Sequence, residues 1–144
     1  MKNIRLIVSA CLTGEAVRYD GKSKPNEEVI KLMNKHNLIP FCPEVMGGLP
    51  TPRIPSEGVR DKVLNEKGED VTAQYKKGAE EALKIAKMYN CKYAILKEKS
   101  PSCGKGKIHN GKFDGGYIEG DGITARLFIE NGIKVLGESE INCL

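Results

Sequence analysis

Four short apolar runs along the chain predict the strands of a buried sheet. They lie at residues 4–9, 38–42, 93–96 and 133–136. Continuous apolar runs are typical of strands that are covered on both faces. Pro40 falls inside the second run, and because proline cannot donate a ladder hydrogen bond, it disfavours a central position for that strand.

Apolar residues that recur every three or four positions predict three helices between these strands. The first follows Pro25, the longest spans about residues 70–90 behind a cap at Asp70, and the last spans 121–132 behind a cap at Asp121. Strands that alternate with helices favour an α/β fold in which a mostly parallel sheet of about four strands has flanking helices on both faces.

Two loop segments stand out because proline and glycine concentrate in them. Residues 43–55 contain four of the seven prolines, and residues 104–122 contain seven of the sixteen glycines. Long irregular loops in compact domains often carry function, so we expect Gly/Pro-rich active-site loops here. Within the second segment, Asn110-Gly111 predicts a hairpin turn.

Length and composition are those of an ordinary globular domain. The chain has 144 residues, of which 40% are hydrophobic and 29% are charged, so we expect one domain over residues 1–144. The sequence contains no apolar stretch long enough for a membrane span and no signal-peptide pattern, which predicts a cytoplasmic protein that does not bind membranes. No motif predicts an oligomeric state.

The charge balance bears on the type of ligand. Twenty-three Lys and Arg residues against nineteen Asp and Glu residues give a net charge of +4, and aromatic residues make up 6% of the chain. A mild positive charge permits an anionic ligand but lacks the clustered basic face that is typical of nucleic-acid binding. We therefore expect a small-molecule ligand and regard a nucleic-acid partner as disfavoured.

Five cysteines provide the clearest chemical signal. The odd number argues against a disulfide framework, and the absence of a C-x-x-C pair argues against zinc-ribbon and thioredoxin sites. Cys11 follows the first predicted strand, Cys42 closes the second, and Cys103 lies in the loop after the third. Ligands of open parallel sheets bind beyond the carboxyl ends of the strands, so these three cysteines should meet at one edge. Cys91 and Cys143 lie elsewhere and should not be ligands.

Several chemistries are compatible with three convergent cysteines. They could be unrelated small core residues, because free cysteine is often buried. They could instead hold an iron–sulfur cluster or a zinc ion with one open coordination position. Glu44 follows Cys42 closely and is a candidate ligand or general acid/base, whereas a salt-bridged loop residue is its structural alternative. We expect His36 at a helix end and His109 on an exposed hairpin, both away from the site.

Five sequence blocks resemble a known family. Together they extend over residues from about 4 to 135, and the blocks that contain CPEVMGGLPTPR and SPSCG are the most specific. The blocks are Val8–Gly14, Val17–Gly21, Cys42–Arg53, Lys97–Gly104 and Gly120–Gly122. In this pattern the chain resembles the domain-of-unknown-function family that includes bacterial 2-thiouracil desulfidase.

The resemblance implies a single Rossmann-like domain with a [4Fe-4S] cluster, in which three cysteines hold the cluster and one iron is open. By motif these ligands are Cys11, Cys42 and Cys103. The implied reaction is the non-redox desulfuration of a thiolated pyrimidine, with Glu44 as acid/base and Ser100 as a positioning residue for substrate or water. The absence of an added RNA-binding domain makes a free thiolated base or nucleoside the expected substrate.

Two other functions fit the same three cysteines. One is a metal- or sulfide-binding module without turnover, in which Glu44 has little to do. The other is a zinc-dependent hydrolase that uses the cysteines with Glu44 or a water molecule as the fourth ligand. Analysis of the bound metal and measurement of substrate turnover distinguish these two functions from that of a desulfidase.

Overall fold

A computed structural model describes residues 3–144 of the chain. Its strands and helices alternate over most of the length, as the apolar periodicity predicts. In chain order the elements are β1 (Arg5–Ser9), α1 (Glu27–Lys31), β2 (Asn37–Phe41), α2 (Pro43–Met46), β3 (Ser56–Val59), β4 (Lys62–Asn65), α3 (Thr72–Met88), β5 (Tyr93–Leu96), β6 (Lys107–His109), β7 (Tyr117–Glu119), α4 (Ile123–Glu130) and β8 (Lys134–Gly137).

The four predicted apolar runs form one parallel sheet in the order β2-β1-β5-β8. The strand that contains Pro40 lies at the edge of the sheet, as expected for a strand that lacks one ladder donor. From β1 the chain continues to β2 at one end of the sheet, whereas from β5 it continues to β8 at the opposite end. The carboxyl ends of β1 and β5 are therefore a topological switch point, which is where α/β sheets bind ligands.

Helices and terminal segments cover both faces of the sheet, so the predicted α/β class is confirmed. Successive strand residues point to opposite faces. Ile7 packs with Ala82 of α3 and Phe128 of α4 in one apolar cluster, whereas Leu6 and Val8 join a second cluster on the other face. Residues from α1 and from the C-terminal segment complete the second cluster, with Val29, Ile141 and Leu144 among its buried members.

The predicted helices exist, but their ends differ by a few residues. Pro25 lies outside α1, whose N-cap is Asn26, because the Asn26 side chain accepts a hydrogen bond from the Val29 amide. Helix α4 begins after Gly122 rather than after a cap at Asp121. The Asp121 carboxylate instead accepts a hydrogen bond from the Gly106 amide, and this contact ties the glycine-rich loop to the start of α4.

Two hairpins flank the sheet, and the sequence analysis anticipated only one of them. Strands β6 and β7 pair in antiparallel fashion, but the turn is longer than a two-residue Asn-Gly turn, since the Asn110 amide donates to the Gly116 carbonyl. Strands β3 and β4 form a second antiparallel hairpin that the sequence analysis missed. Segment 43–55 is also less irregular than expected, because it begins with α2.

Candidate active site

A cavity of about 520 Å³ lies at the carboxyl edge of the parallel sheet. All five residues that the sequence analysis proposed for the site line it, namely Cys11, Cys42, Glu44, Ser100 and Cys103. Sequence reasoning placed the three cysteines at one sheet edge, and the structure brings all five residues to one cavity. Their chemical roles stay predictions.

The loops after β1 and β5 deliver two of the cysteines to the switch point. Cys11 lies in a 3₁₀ turn over Ala10–Thr13 that begins directly after β1. Cys103 follows β5 in a loop that is fastened to α4, because the Ser102 and Thr124 hydroxyls lie 2.7 Å apart in the protein interior. The Thr124 amide also donates to the Ser102 carbonyl at 2.8 Å. Both thiols are buried.

Helix α2 carries the third cysteine and the glutamate. Cys42 is its N-cap residue and Glu44 lies in its first turn. The helix packs closely on α3 because both contact points are glycines. A Cβ at Gly78 would overlap the Pro43 carbonyl, and a Cβ at Gly47 would overlap the Gln74 carbonyl. Close packing at these glycines therefore sets the position of Cys42 and Glu44 in the cavity.

The three thiols influence each other electrostatically. Burial raises the pKa of Cys11 to about 11, and the neighbouring Cys42 adds to this effect. Burial also raises the pKa values of Cys42 and Cys103. A hydrogen bond with the Ser9 hydroxyl partly offsets the rise at Cys103. Protein without a metal therefore holds neutral thiols here, and a cationic centre is needed to stabilise them as thiolates.

Glu44 forms a largely buried ion pair with Arg53. The guanidinium Nε and Nη2 atoms of Arg53 lie 2.8 and 2.7 Å from the Oε2 atom of Glu44. Nη2 also donates to the Val17 carbonyl at 2.8 Å, and Nη1 donates to the Pro50 carbonyl at 3.2 Å. Arg53 thus fixes the carboxylate through one oxygen and leaves Oε1 for other partners. The sequence analysis did not assign Arg53 a role, although the residue ends its most specific block.

Tyr75 lies on α3 and is a second neighbour of Glu44 that the sequence analysis missed. The residue is among those that line the cavity, although it is only 2% exposed. Burial raises the pKa of Tyr75, and the Glu44 carboxylate raises it further. The hydroxyl therefore stays protonated and can donate a hydrogen bond toward the carboxylate. The helical spacing indicated only a core residue at this position.

Ser100 supports the loop that carries Cys103. Its Oγ atom accepts hydrogen bonds from the amides of Ser102 and Cys103, each at 3.1 Å. This is the local turn role that serine often takes beside proline. The hydroxyl proton is still free to donate into the cavity, because both of these contacts use only the oxygen lone pairs.

The remaining cysteines and histidines fall in different surroundings. Cys91 is buried in the core cluster that contains α3 and α4, and Cys143 is exposed near the C-terminus. His36 follows the 3₁₀ turn Leu32–Asn34 and lies outside the cavity lining, in keeping with a helix-end position away from the site, but it is 3% exposed rather than at the surface, and its Nδ1 accepts a hydrogen bond from the Ile4 amide. His109 was expected to be exposed, but it is half-buried and lines the cavity. The expectation for His109 was wrong, because its ring packs beside Tyr117 on the cavity wall.

The candidate metal ligands in the cavity are mainly cysteine thiols, which are soft donors. Three thiols line one space, whereas no three His, Cys, Asp or Glu side chains within residues 3–144 are arranged to hold a single metal ion. An iron–sulfur cluster binds each thiolate through a different iron, so its protein ligands need not converge on one point. The three cysteines and the volume around them fit such a cluster.

Comparisons with known proteins agree with this geometry. The sequence model of the 2-thiouracil desulfurase family matches residues 6–140. The uncharacterized protein YbbK of Bacillus subtilis (strain 168) is 43% identical over 147 residues, which cover 95% of this chain and 97% of that protein. The solved structure of a [4Fe-4S]-dependent thiouracil desulfidase, TudS, superposes with a TM-score of 0.88 at 44% identity, covering 100% of this chain and 95% of that one.

Among the helices of residues 3–144, none has the length and apolar character that crossing a bilayer requires.

Proposed function

This chain belongs to the 2-thiouracil desulfurase family, and from that premise we propose that it removes sulfur from a thiolated pyrimidine with the aid of a [4Fe-4S] cluster. The net reaction exchanges C=S for C=O, consumes one water molecule and releases hydrogen sulfide. The observation that carries the proposal is the meeting of Cys11, Cys42, Cys103 and Glu44 in one cavity.

The three cysteines would hold the cluster and leave one iron without a protein ligand. When bound, the cluster supplies a soft Lewis acid that polarises the C=S bond and takes up sulfide. The chain's own contribution begins with burial. A cavity that covers the thiols limits access of bulk water, and the Ser9 hydroxyl donates toward the sulfur of Cys103. Such second-layer hydrogen bonds tune the ligand sulfur.

Glu44 would handle the protons of the reaction. A carboxylate acts as a general base when it is held within hydrogen-bond reach of the proton that it removes. Arg53 holds Oε2, so Oε1 is the oxygen that can take a proton from the attacking water. The same oxygen would then pass that proton to the departing sulfur and relay the second proton of the water as the C=O bond forms, so hydrogen sulfide leaves and the carboxylate ends each cycle in its starting state. Tyr75 would donate to the carboxylate and keep it oriented.

Ser100 would position the substrate or the water. Its oxygen accepts hydrogen bonds from two amides of the cysteine loop, which leaves the hydroxyl proton for a partner in the cavity that Ser100 lines. The proposed substrate is a free thiolated base or nucleoside rather than a nucleic acid, because the net charge is only +4. We further propose one desulfidase domain over residues 1–144 and a cytoplasmic location, in keeping with five unpaired cysteines.

Turnover by anaerobically reconstituted protein tests the proposal. We expect 2-thiouracil to disappear with equal amounts of uracil and sulfide produced, and we expect Glu44→Gln to retain iron but lose at least about 100-fold in kcat. Glu15→Gln is the matched control, since Glu15 is an exposed glutamate outside the cavity lining. Bound iron without turnover of any thiolated pyrimidine favours the sulfide-binding module. One zinc per chain without iron favours the hydrolase.

A further inference from the structure

The β6–β7 hairpin forms one wall of the cavity and carries none of the three cysteines. His109, Phe113 and Tyr117 line the cavity from this hairpin. The buried Glu57 carboxylate anchors its turn by accepting hydrogen bonds from the amides of Gly111 at 2.9 Å and Phe113 at 3.3 Å. These contacts hold the hairpin to the β3–β4 hairpin. The wall is therefore a fixed part of the cavity.

His109 has an unusual hydrogen-bonding state on this wall. Its Nδ1 atom is the one buried side-chain nitrogen or oxygen within residues 3–144 that lacks a hydrogen-bond partner. The imidazole packs beside the Tyr117 ring, with the ring centroids 4.9 Å apart. Buried polar groups without partners are rare, and in native structures they often point to a functional role. Neither the family motifs nor the mechanism above uses His109.

The two ring nitrogens of His109 differ in burial. No hydrogen bond to Nε2 is found among the described residues, and Nε2 does not share the burial of Nδ1, so it is the ring nitrogen that a ligand can reach on this cavity-lining residue. A neutral imidazole carries its proton on one nitrogen and a lone pair on the other. Orphaned buried N–H groups are rarer than orphaned acceptors, which favours a bare Nδ1 and a proton on Nε2. His109 would then present an N–H donor to the cavity.

We propose that His109 is a substrate-binding residue whose Nε2–H donates to the remaining ring carbonyl oxygen of the thiolated pyrimidine. The inference rests on the proposed function for the identity of the ligand. A thiolated pyrimidine such as 2-thiouracil offers two acceptors, its sulfur and its carbonyl oxygen. The sulfur belongs with the cysteines at the sheet edge, so the carbonyl is the acceptor available to the hairpin wall. A site that donates to this oxygen discriminates against rings that lack it.

The test uses cluster-loaded wild-type protein and three His109 variants. His109→Gln keeps an amide donor near the Nε2 position, His109→Asn moves it toward the Nδ1 position, and His109→Phe removes it. The readouts are iron per chain, the Kd of the product uracil by calorimetry, and KM and kcat for two substrates. These substrates are 2-thiouracil and pyrimidine-2-thione, which keeps the C=S group but lacks the carbonyl oxygen.

We expect all four proteins to bind the same amount of iron. Uracil binding and KM for 2-thiouracil should weaken about tenfold in His109→Asn and His109→Phe, which is the size of one lost hydrogen bond, and stay within about threefold in His109→Gln. Wild-type protein should prefer 2-thiouracil over pyrimidine-2-thione, and His109→Phe should lose most of that preference. A purely structural role for His109 would not change the ratio between the two substrates.

The outcomes separate this inference from the proposed function. If the wild-type protein is active and His109→Phe keeps the same substrate preference, the role of His109 is overturned while the proposed function stands. The same holds if His109→Asn, and not His109→Gln, keeps wild-type uracil binding. Wild-type protein that neither binds uracil nor desulfurises any thiolated pyrimidine would overturn both the proposed function and the ligand assigned to His109.

Discussion

Replacing Arg53 by methionine isolates the ion pair that holds the proposed acid/base. The side chains of Arg53 and Glu44 are 6% and 15% exposed, so the substitution leaves the carboxylate largely buried without its counter-ion. Breaking a buried pair in this way costs ~3–5 kcal/mol. Glu44 borders the cavity, where water can partly solvate it, so we expect the lower end of the range, about 3 kcal/mol.

This loss should be visible in both stability and activity. For a chain of this size 1 kcal/mol corresponds to roughly 2–4 °C, so the thermal midpoint of Arg53→Met should fall by about 10 °C. Turnover should fall by about 100-fold, because a displaced carboxylate no longer meets the attacking water in the required geometry. Both measurements compare variant and wild-type protein at equal iron content.

Two further variants make the prediction specific. The double variant Glu44→Gln with Arg53→Met should be no less stable than Arg53→Met alone, since it no longer buries an unpaired charge. Lys84→Met breaks an exposed pair with Glu81, 3.3 Å apart on α3, and should change stability by less than about 0.5 kcal/mol. An Arg53→Met protein with wild-type stability and turnover would refute the role of this pair.

Two other substitutions test features around the site. Gly78→Ala should destabilise the protein by ~1–3 kcal/mol in thermal or urea unfolding, because its Cβ overlaps the Pro43 carbonyl, whereas alanine in an unobstructed helix would stabilise it by about 1 kcal/mol. Tyr75 should hold its proton well above pH 10, so the wild-type tyrosinate absorbance between pH 10 and 11 should match that of Tyr75→Phe. Because the pKa of Tyr75 is raised on folding, its contribution to stability is complete below about pH 10 and is lost as the pH rises further. Excess tyrosinate in folded wild-type protein would contradict this environment.

The sequence predicted the parallel sheet well because three of its four strands, β1, β5 and β8, are buried on both faces. Continuous apolar runs such as Ile4–Ser9 have few other uses in a domain of this size, and Pro40 marked the edge strand. The topology rule then carried Cys11, Cys42 and Cys103 to one edge. Local sequence was enough here because position in the sheet, rather than side-chain packing, decides where these residues lie.

The features that the sequence did not reveal depend on tertiary contacts. The β3–β4 hairpin contains Gly58 and short, mixed strands, so its apolar pattern is too brief to predict a sheet. The pairing of Arg53 with Glu44 spans a proline-rich loop whose path cannot be derived from periodicity. The burial of His36 depends on the C-terminal Leu144, which is distant in sequence, and the position of His109 depends on its pairing with Tyr117 across the β6–β7 hairpin.

The central claim is that Cys11, Cys42 and Cys103, and not Cys91 or Cys143, hold one [4Fe-4S] cluster. The most direct measurement is iron and acid-labile sulfide per chain in anaerobically reconstituted wild-type protein and in the five single cysteine-to-serine variants. The account predicts about four of each in wild-type protein, Cys91→Ser and Cys143→Ser, and a clear loss in the other three variants. Full cluster content in any of those three, or loss of iron in Cys91→Ser or Cys143→Ser, would contradict it.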